Sequence, residues 1–110
     1  MKLIKAYLRQ FLASEVIAAL KEINAPRLTA LEIKSLGDEI DPNQLHLSAE
    51  LSSSYTPMVK IELVCSEAMA AQVKEIILNK AHTGYKGNGL IAILPVEEAV
   101  SIRTRENEKE

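Results

Sequence analysis

Two segments of this chain alternate apolar and polar residues with a period of two, and each adjoins a segment whose apolar residues recur at helical spacing. In residues 28–35, Thr29, Leu31 and Ile33 share one face while Glu32 and Lys34 lie on the other. In residues 58–65, Val59, Ile61, Leu63 and Cys65 oppose Lys60 and Glu62. That period fits a strand with one buried face and does not fit a helix.

The remaining elements fall around these two. Residues 1–8 read as a strand, with Leu3, Lys5 and Tyr7 against Ile4, Ala6 and Leu8. Ser14-Glu15 reads as a helix start, Ser being a favoured N-cap, and Leu12, Val16, Ile17, Leu20 and Ile23 follow at helical spacing. Asn24-Ala25-Pro26 ends that helix, because the residue before a proline is pushed out of the helical region. Ser66-Glu67 starts a second helix, whose stripe is Met69, Val73, Ile76 and Ile77. Residues 90–94 form a continuous apolar run bounded by glycine and proline, the pattern of a central strand. Residues 100–104 read as a short further strand.

The order predicts the α+β class, as a ferredoxin-like split βαβ sandwich (βαββαβ) with a short extra C-terminal strand and a long loop between strands 2 and 3. Both helices then cover one face of an antiparallel sheet. The other face stays partly apolar through residues such as Thr29, Leu31 and Ile33 or their opposite register, and small sheets commonly bury such a face by self-association. Residues 1–104 are expected to form one domain, and residues 105–110, almost all charged, a frayed tail.

Charge and composition exclude several functions. A net charge of −2 gives no basic face for nucleic acid. No apolar run approaches the roughly 20 residues that span a bilayer, and the first residues lack the apolar core of a signal peptide. One cysteine cannot make an internal disulfide. A cytoplasmic protein without membrane insertion is expected.

Two loops carry the chemistry. Residues 36–56 are long and polar, with Gly37, Pro42, Asn43 and a Ser52-Ser53-Ser54 run. Loops of that length in compact domains are usually functional or disordered. Thr83-Gly84-Tyr85-Lys86-Gly87-Asn88-Gly89 holds three glycines and a lysine. It follows a helix and opens a strand, the reverse of a dinucleotide-binding turn, so no helix N-terminus faces it. It is either a turn or a phosphate cradle built from backbone N–H groups with Lys86 or Arg103.

Catalysis finds little support. His46 and His82 have no accompanying nucleophile motif. Cys65 sits on the apolar face of a strand, where free cysteine behaves as a small hydrophobe. His46, His82 and Cys65 lack zinc-ligand spacing. Asp38, Glu39 and Asp41 could gather a hard cation with a nucleotide phosphate, as a minor alternative.

The segments Thr83-Gly84-x-x-Gly87-Asn88-Gly89, Pro95-Val96-Glu97-Glu98-Ala99 and Ile102-Arg103-Thr104, with the opening residues and the strand Val59-Lys60-Ile61-Glu62-Leu63-Val64, resemble the PII nitrogen-regulatory signalling proteins. The resemblance spans nearly the whole chain. It implies a homotrimer, not an enzyme, with an adenine nucleotide bound between subunits and no tightly held cofactor or metal. The long loop, residues 37–56, would contact a target such as a membrane transporter or metabolic enzyme. Carried over by position, Thr29, Gly37, Glu62, Val64, Gly87, Asn88, Gly89 and Arg103 would be nucleotide-site residues, joined by Asp38 at the loop base and by Lys86. Glu39, Asp41, His46, Leu51 and Tyr55 would belong to the partner-binding loop.

The departures from the pattern have a consistent sign. The phosphate-binding lysine after the last glycine is Leu90, and the first arginine of an R-x-R pair is Ser101. An Arg-Gln pair, whose glutamine helps hold magnesium and 2-oxoglutarate, is Asp38-Glu39. The tyrosine modified in many members is Leu51. Each lost charge-assisted contact costs about 1.5–3 kcal/mol. ADP or AMP is therefore expected, with ATP bound weakly. Two alternatives stand beside this reading: a nucleotide-independent trimeric interaction module, and a metal-tolerance-type trimeric sandwich.

Overall fold

A computed structural model describes residues 1–37, 45–51, 53–82 and 89–108. The expected sites Asp38, Glu39, Asp41, Lys86, Gly87 and Asn88 lie outside these residues. The elements are β1 (Lys2–Arg9), α1 (Gln10–Glu22), β2 (Thr29–Ser35), β3 (His46–Ser48), β4 (Ser53–Cys65), α2 (Glu67–Ala81) and β5 (Gly89–Pro95).

The sheet order is β2-β4-β1-β5, with β3 paired to β4 alone. β4 runs antiparallel to β1 and β2, and β1 antiparallel to β5. Each helix therefore joins two parallel strands with a third between them, the split βαβ arrangement. Ile4 pairs with Leu63, Ala6 with Ile61 and Leu8 with Val59. These side chains are buried with Ala13, Val16 and Leu20 of α1 and Ala70, Val73 and Ile77 of α2. The core is thus one aliphatic layer between two helices and one face of the sheet.

The opposite face has no helix over it among the described residues, although Met58 on it is buried. It carries Leu31 and Ile33 of β2, Met58 and Val64 of β4, Leu3 and Tyr7 of β1, and Leu90 and Leu94 of β5. Leu31 is 44%, Leu90 60% and Leu94 40% exposed. Near its centre, Lys60 and Glu62 form an ion pair of 3.1 Å.

Local chemistry sets the boundaries, with four differences from the sequence-based expectation. α1 starts at Gln10 rather than Ser14, straight from the extended Arg9 and without a side-chain cap. Helix formers continue back to β1, and burial of Ala13 holds the extra turn. Its C-terminus is a Schellman motif: Asn24 is left-handed (φ 56), Asn24 N–H donates to the Lys21 carbonyl, and Ala25 N–H donates to the Leu20 carbonyl. β4 begins at Ser53 because the serine run pairs with β3 in a short ribbon, so the long loop is partly structured. β5 is an edge strand, not a central one. Its unbroken apolar pattern reflects two half-covered faces, with Ile93 also 40% exposed. The extra C-terminal strand reduces to one bridge, Val100 with Asn107. There the chain reverses, with Arg105 N–H donating to the Ser101 carbonyl and Arg105 left-handed (φ 63). Glu108 N–H donates to the Ala99 carbonyl, which closes the hairpin.

The start of α2 agrees with the sequence: Ser66 Oγ accepts from Met69 N–H at 3.1 Å. Among the described residues, no helix is long and apolar enough to cross a membrane.

Two predictions follow from this packing. Gly89 has φ 113, and a Cβ there would fall on the carbonyl oxygen of Tyr7 on the neighbouring strand. Gly89→Ala should destabilise by about 3 kcal/mol, measured by urea denaturation, since a forced φ alone costs on the order of 1–3 kcal/mol. Burial pushes the Cys65 thiol above its ordinary 9.0, with Arg27 and the N-terminus drawing it partly back. The unfolded chain then loses this proton first as pH rises, so stability is complete below the unfolded value and falls above it. The unfolding free energy should drop above about pH 9, a limb that Cys65→Ala flattens.

Candidate functional site

The expected nucleotide-site residues divide between the two ends of the sheet. Thr29 opens β2 and lies opposite Glu62, which in turn lies opposite Lys5. Val64, two residues further along β4, lies opposite Leu3. The hairpin with Arg103 leaves the sheet at this same end, where Pro95 pairs with Lys2 and Val96 N–H donates to the Met1 carbonyl at 3.1 Å. Thr29 and Arg103 are exposed, and Glu62 and Val64 are half-buried.

Gly37 and Gly89 stand at the other end. Gly37 lies just beyond Ser35, the partner of Thr56, and Gly89 lies opposite Leu8. Thr56 and Glu62 are six residues apart on β4, about 20 Å at the rise of a strand. One copy of the chain therefore brings Thr29, Glu62 and Val64 together, and sets Gly37 and Gly89 on opposite edge strands of the sheet, β2 and β5, away from that group.

The two glycines differ in kind. Gly89 is required by the sheet itself, whereas a Cβ on Gly37 would meet nothing within 4 Å. On the open face lies a concavity of about 410 Å³ lined by Tyr7, Ile33, Lys34, Ser35, Leu36, Met58 and Leu90. Its walls are mostly apolar, with Lys34 among them, as ligand pockets commonly are. Leu90 is one of those walls, so the position that would hold a lysine in the family pattern offers no cation.

The described part of the long loop is organised around Tyr55. His46 and Tyr55 are register partners on β3 and β4, and their rings stack at 5.4 Å between centroids. Lys34 Nζ lies 4.9 Å from the Tyr55 ring centroid, a cation–π contact. Leu51 is 46% exposed in the turn after β3, where its N–H donates to Ser48 Oγ at 3.3 Å. The loop thus presents an aromatic and cationic ladder with an apolar residue at the turn.

One residue at this end of the sheet escaped the sequence reading. Arg27 is left-handed (φ 51), and its Nε and Nη2 donate to the Val64 carbonyl at 3.2 and 2.8 Å. Its Nη1 lies 3.6 Å from Glu108 Oε2 in the hairpin. No motif announces it; the only cue is a charged residue directly after Pro26, where the chain must turn into β2.

Relatives agree with this geometry. Residues 1–106 match the family described as Nitrogen regulatory protein P-II. The Nitrogen regulatory protein P-II of Azospirillum brasilense is 39% identical over 106 residues, covering 96% of this chain and 95% of the relative. That of Rhodospirillum rubrum shows the same identity and coverage. Nitrogen regulatory protein GlnK2 of Haloferax mediterranei is 36% identical over 103 residues, covering 94% of this chain and 84% of the relative. With residues 1–106 matching the family and relatives of 39% identity covering 96% of its length, the chain belongs to the P-II family of nitrogen regulatory signalling proteins.

Proposed function

We propose that this protein is a cytoplasmic homotrimeric signalling protein that binds an adenine nucleotide in clefts between its subunits. It acts by regulating a partner, a transporter or metabolic enzyme, through residues 37–56, and not by catalysis. The observation that carries this reading is the division of the site. Thr29, Glu62 and Val64 stand together on β2 and β4, while Gly37 lies beyond the far end of β2, about 20 Å along the strands, and Gly89 lies on the edge strand β5, about 14 Å from Glu62 by register and strand spacing. A nucleotide held by both groups needs one group from each of two copies. The partly exposed apolar face supplies the surface that brings copies together.

Within such a cleft the roles divide by chemistry. The apolar walls around Tyr7, Met58 and Leu90 suit the base. The N–H groups of Gly87, Asn88 and Gly89, with Lys86 and Arg103, suit phosphates. Leu90 and Ser101 remove two cations, so each added phosphate gains less than in a fully basic site. Affinity should therefore favour ADP or AMP over ATP. Asp38 and Glu39 at the loop base should disfavour 2-oxoglutarate. The ladder of Lys34, Tyr55 and His46, together with Glu39, Asp41 and Leu51, is the surface offered to the partner.

Complementation between copies tests the shared cleft. Light scattering should give three times the 12.1 kDa chain mass. By calorimetry, Gly87→Ala and Arg103→Ala should each lose ADP binding. Co-assembled in equal amounts, they should regain about a quarter of the sites, because random mixing joins an intact glycine loop to an intact arginine that often. A monomer, or no ATP, ADP or AMP binding at millimolar ligand, overturns the reading.

A further inference from the structure

Arg27 is held in a way that a bystander on the surface would not be. Left-handed backbone is uncommon for a residue with a Cβ, yet Arg27 adopts it at φ 51. The conformation turns the side chain onto the end of β4. There β2 begins opposite Glu62, two residues short of Val64. Arg27 fills that gap, its Nε and Nη2 donating to the Val64 carbonyl at 3.2 and 2.8 Å. Two bonds from one guanidinium to one carbonyl fix the plane of the fork.

The rest of the fork is loosely engaged. Arginine has five N–H donors. Among the described residues, the ion pair of Nη1 is with Glu108 Oε2 at 3.6 Å. Charge-assisted hydrogen bonds are shorter, about 2.7–2.9 Å. Both side chains are well exposed, at 42% and 33%, and exposed pairs of this kind contribute little. Glu108 belongs to the hairpin that carries Arg103. A carboxylate thus rests, without tight bonds, on a rigidly oriented guanidinium beside Thr29, Glu62 and Val64.

We propose that Arg27 is an anion-binding residue of the nucleotide half-site, that it takes a phosphate oxyanion of the ligand, and that the Glu108 carboxylate is an internal occupant which the ligand displaces. The inference rests on the nucleotide reading above. It also answers the charge deficit: Arg27 returns a cation to the end of the sheet where Ser101 withholds one. Its planar fork matches an oxyanion's geometry, which a lysine's point charge does not. Displacing Glu108 frees the hairpin from β4, so occupancy of the site is transmitted to the segment holding Arg103.

Calorimetry with adenosine, AMP, ADP and inorganic phosphate tests this on the full chain and on Arg27→Gly, Arg27→Lys and Glu108→Gln. Glycine adopts φ 51 without strain, so R27G keeps the backbone, and E108Q changes only an exposed side chain. R27G should weaken AMP and ADP at least tenfold and leave adenosine unchanged. R27K should recover part of the loss, and E108Q should tighten AMP and ADP severalfold. Inorganic phosphate alone should compete with AMP in the wild type and not in R27G. AMP and ADP binding that R27G leaves unaltered, equal loss of adenosine, or weaker binding by E108Q overturns the role of Arg27 while leaving the nucleotide reading standing. Absence of nucleotide binding in all four proteins overturns both.

Discussion

β4 pairs with β2 along one edge and with β1 along the other, and its register decides which way nearly every side chain in the sheet faces. Val59, Ile61, Leu63 and Cys65 turn under the helices because Leu8, Ala6, Ile4 and Lys2 are their partners on β1. A slip of one residue would send this set into solvent and bring Lys60 and Glu62 into the aliphatic core. The same pairing sets the functional geometry. It places Thr29 beside Glu62 and holds the loop that follows Ser35 at the far end. Separation of Gly37 from Thr29 and Glu62 in the proposed site is therefore a consequence of antiparallel pairing.

That constraint joins two features that look unrelated in a single copy. The sheet has a face with exposed leucines and no helix over it among the described residues, and the proposed site is divided. Burial of apolar area gives about 25 cal/mol per Å², so covering Leu31, Leu90 and Leu94 favours association. The Lys60–Glu62 pair at the centre is only partly exposed. An ion pair inside an apolar patch adds little net stability but penalises arrangements that separate its members. Association by this face thus has both a driving force and a means of fixing how copies meet.

The fold was legible because its cues are periodic. Alternation at 28–35 and 58–65 and the stripe at Val73 and Ile77 survive as buried positions or register pairs. What was missed has no period. β3, His46–Ser48, pairs with the serine-rich start of β4, where Tyr55 stacks on His46, and neither segment carries an alternating pattern that announces the pairing. The early start of α1 depends on Ala13 finding a place in the core, which propensity does not encode. β5 read as central since two half-covered faces resemble two fully covered ones in sequence. Gly89 was singled out through its motif, and the necessity that the structure gives it is the approach of the Tyr7 backbone. Arg27 stayed hidden because a left-handed arginine has no sequence signature, and its partner carbonyl lies 37 residues away.

The charges of the site are better regarded as relocated than as lost. Leu90 and Ser101 remove cations from the glycine-loop and hairpin positions, which by itself would leave a cleft poor in phosphate contacts. Arg27 stands on the opposite half-site, fixed by a backbone carbonyl. A cation on a rigid strand end differs from one on a flexible loop, because its orientation entropy is already lost before a ligand arrives. It also reaches a different part of a nucleotide bound between copies. A cleft arranged this way selects on where a ligand carries its charge as well as on how much it carries. That changes which effector the fold can report without altering the sheet that builds it.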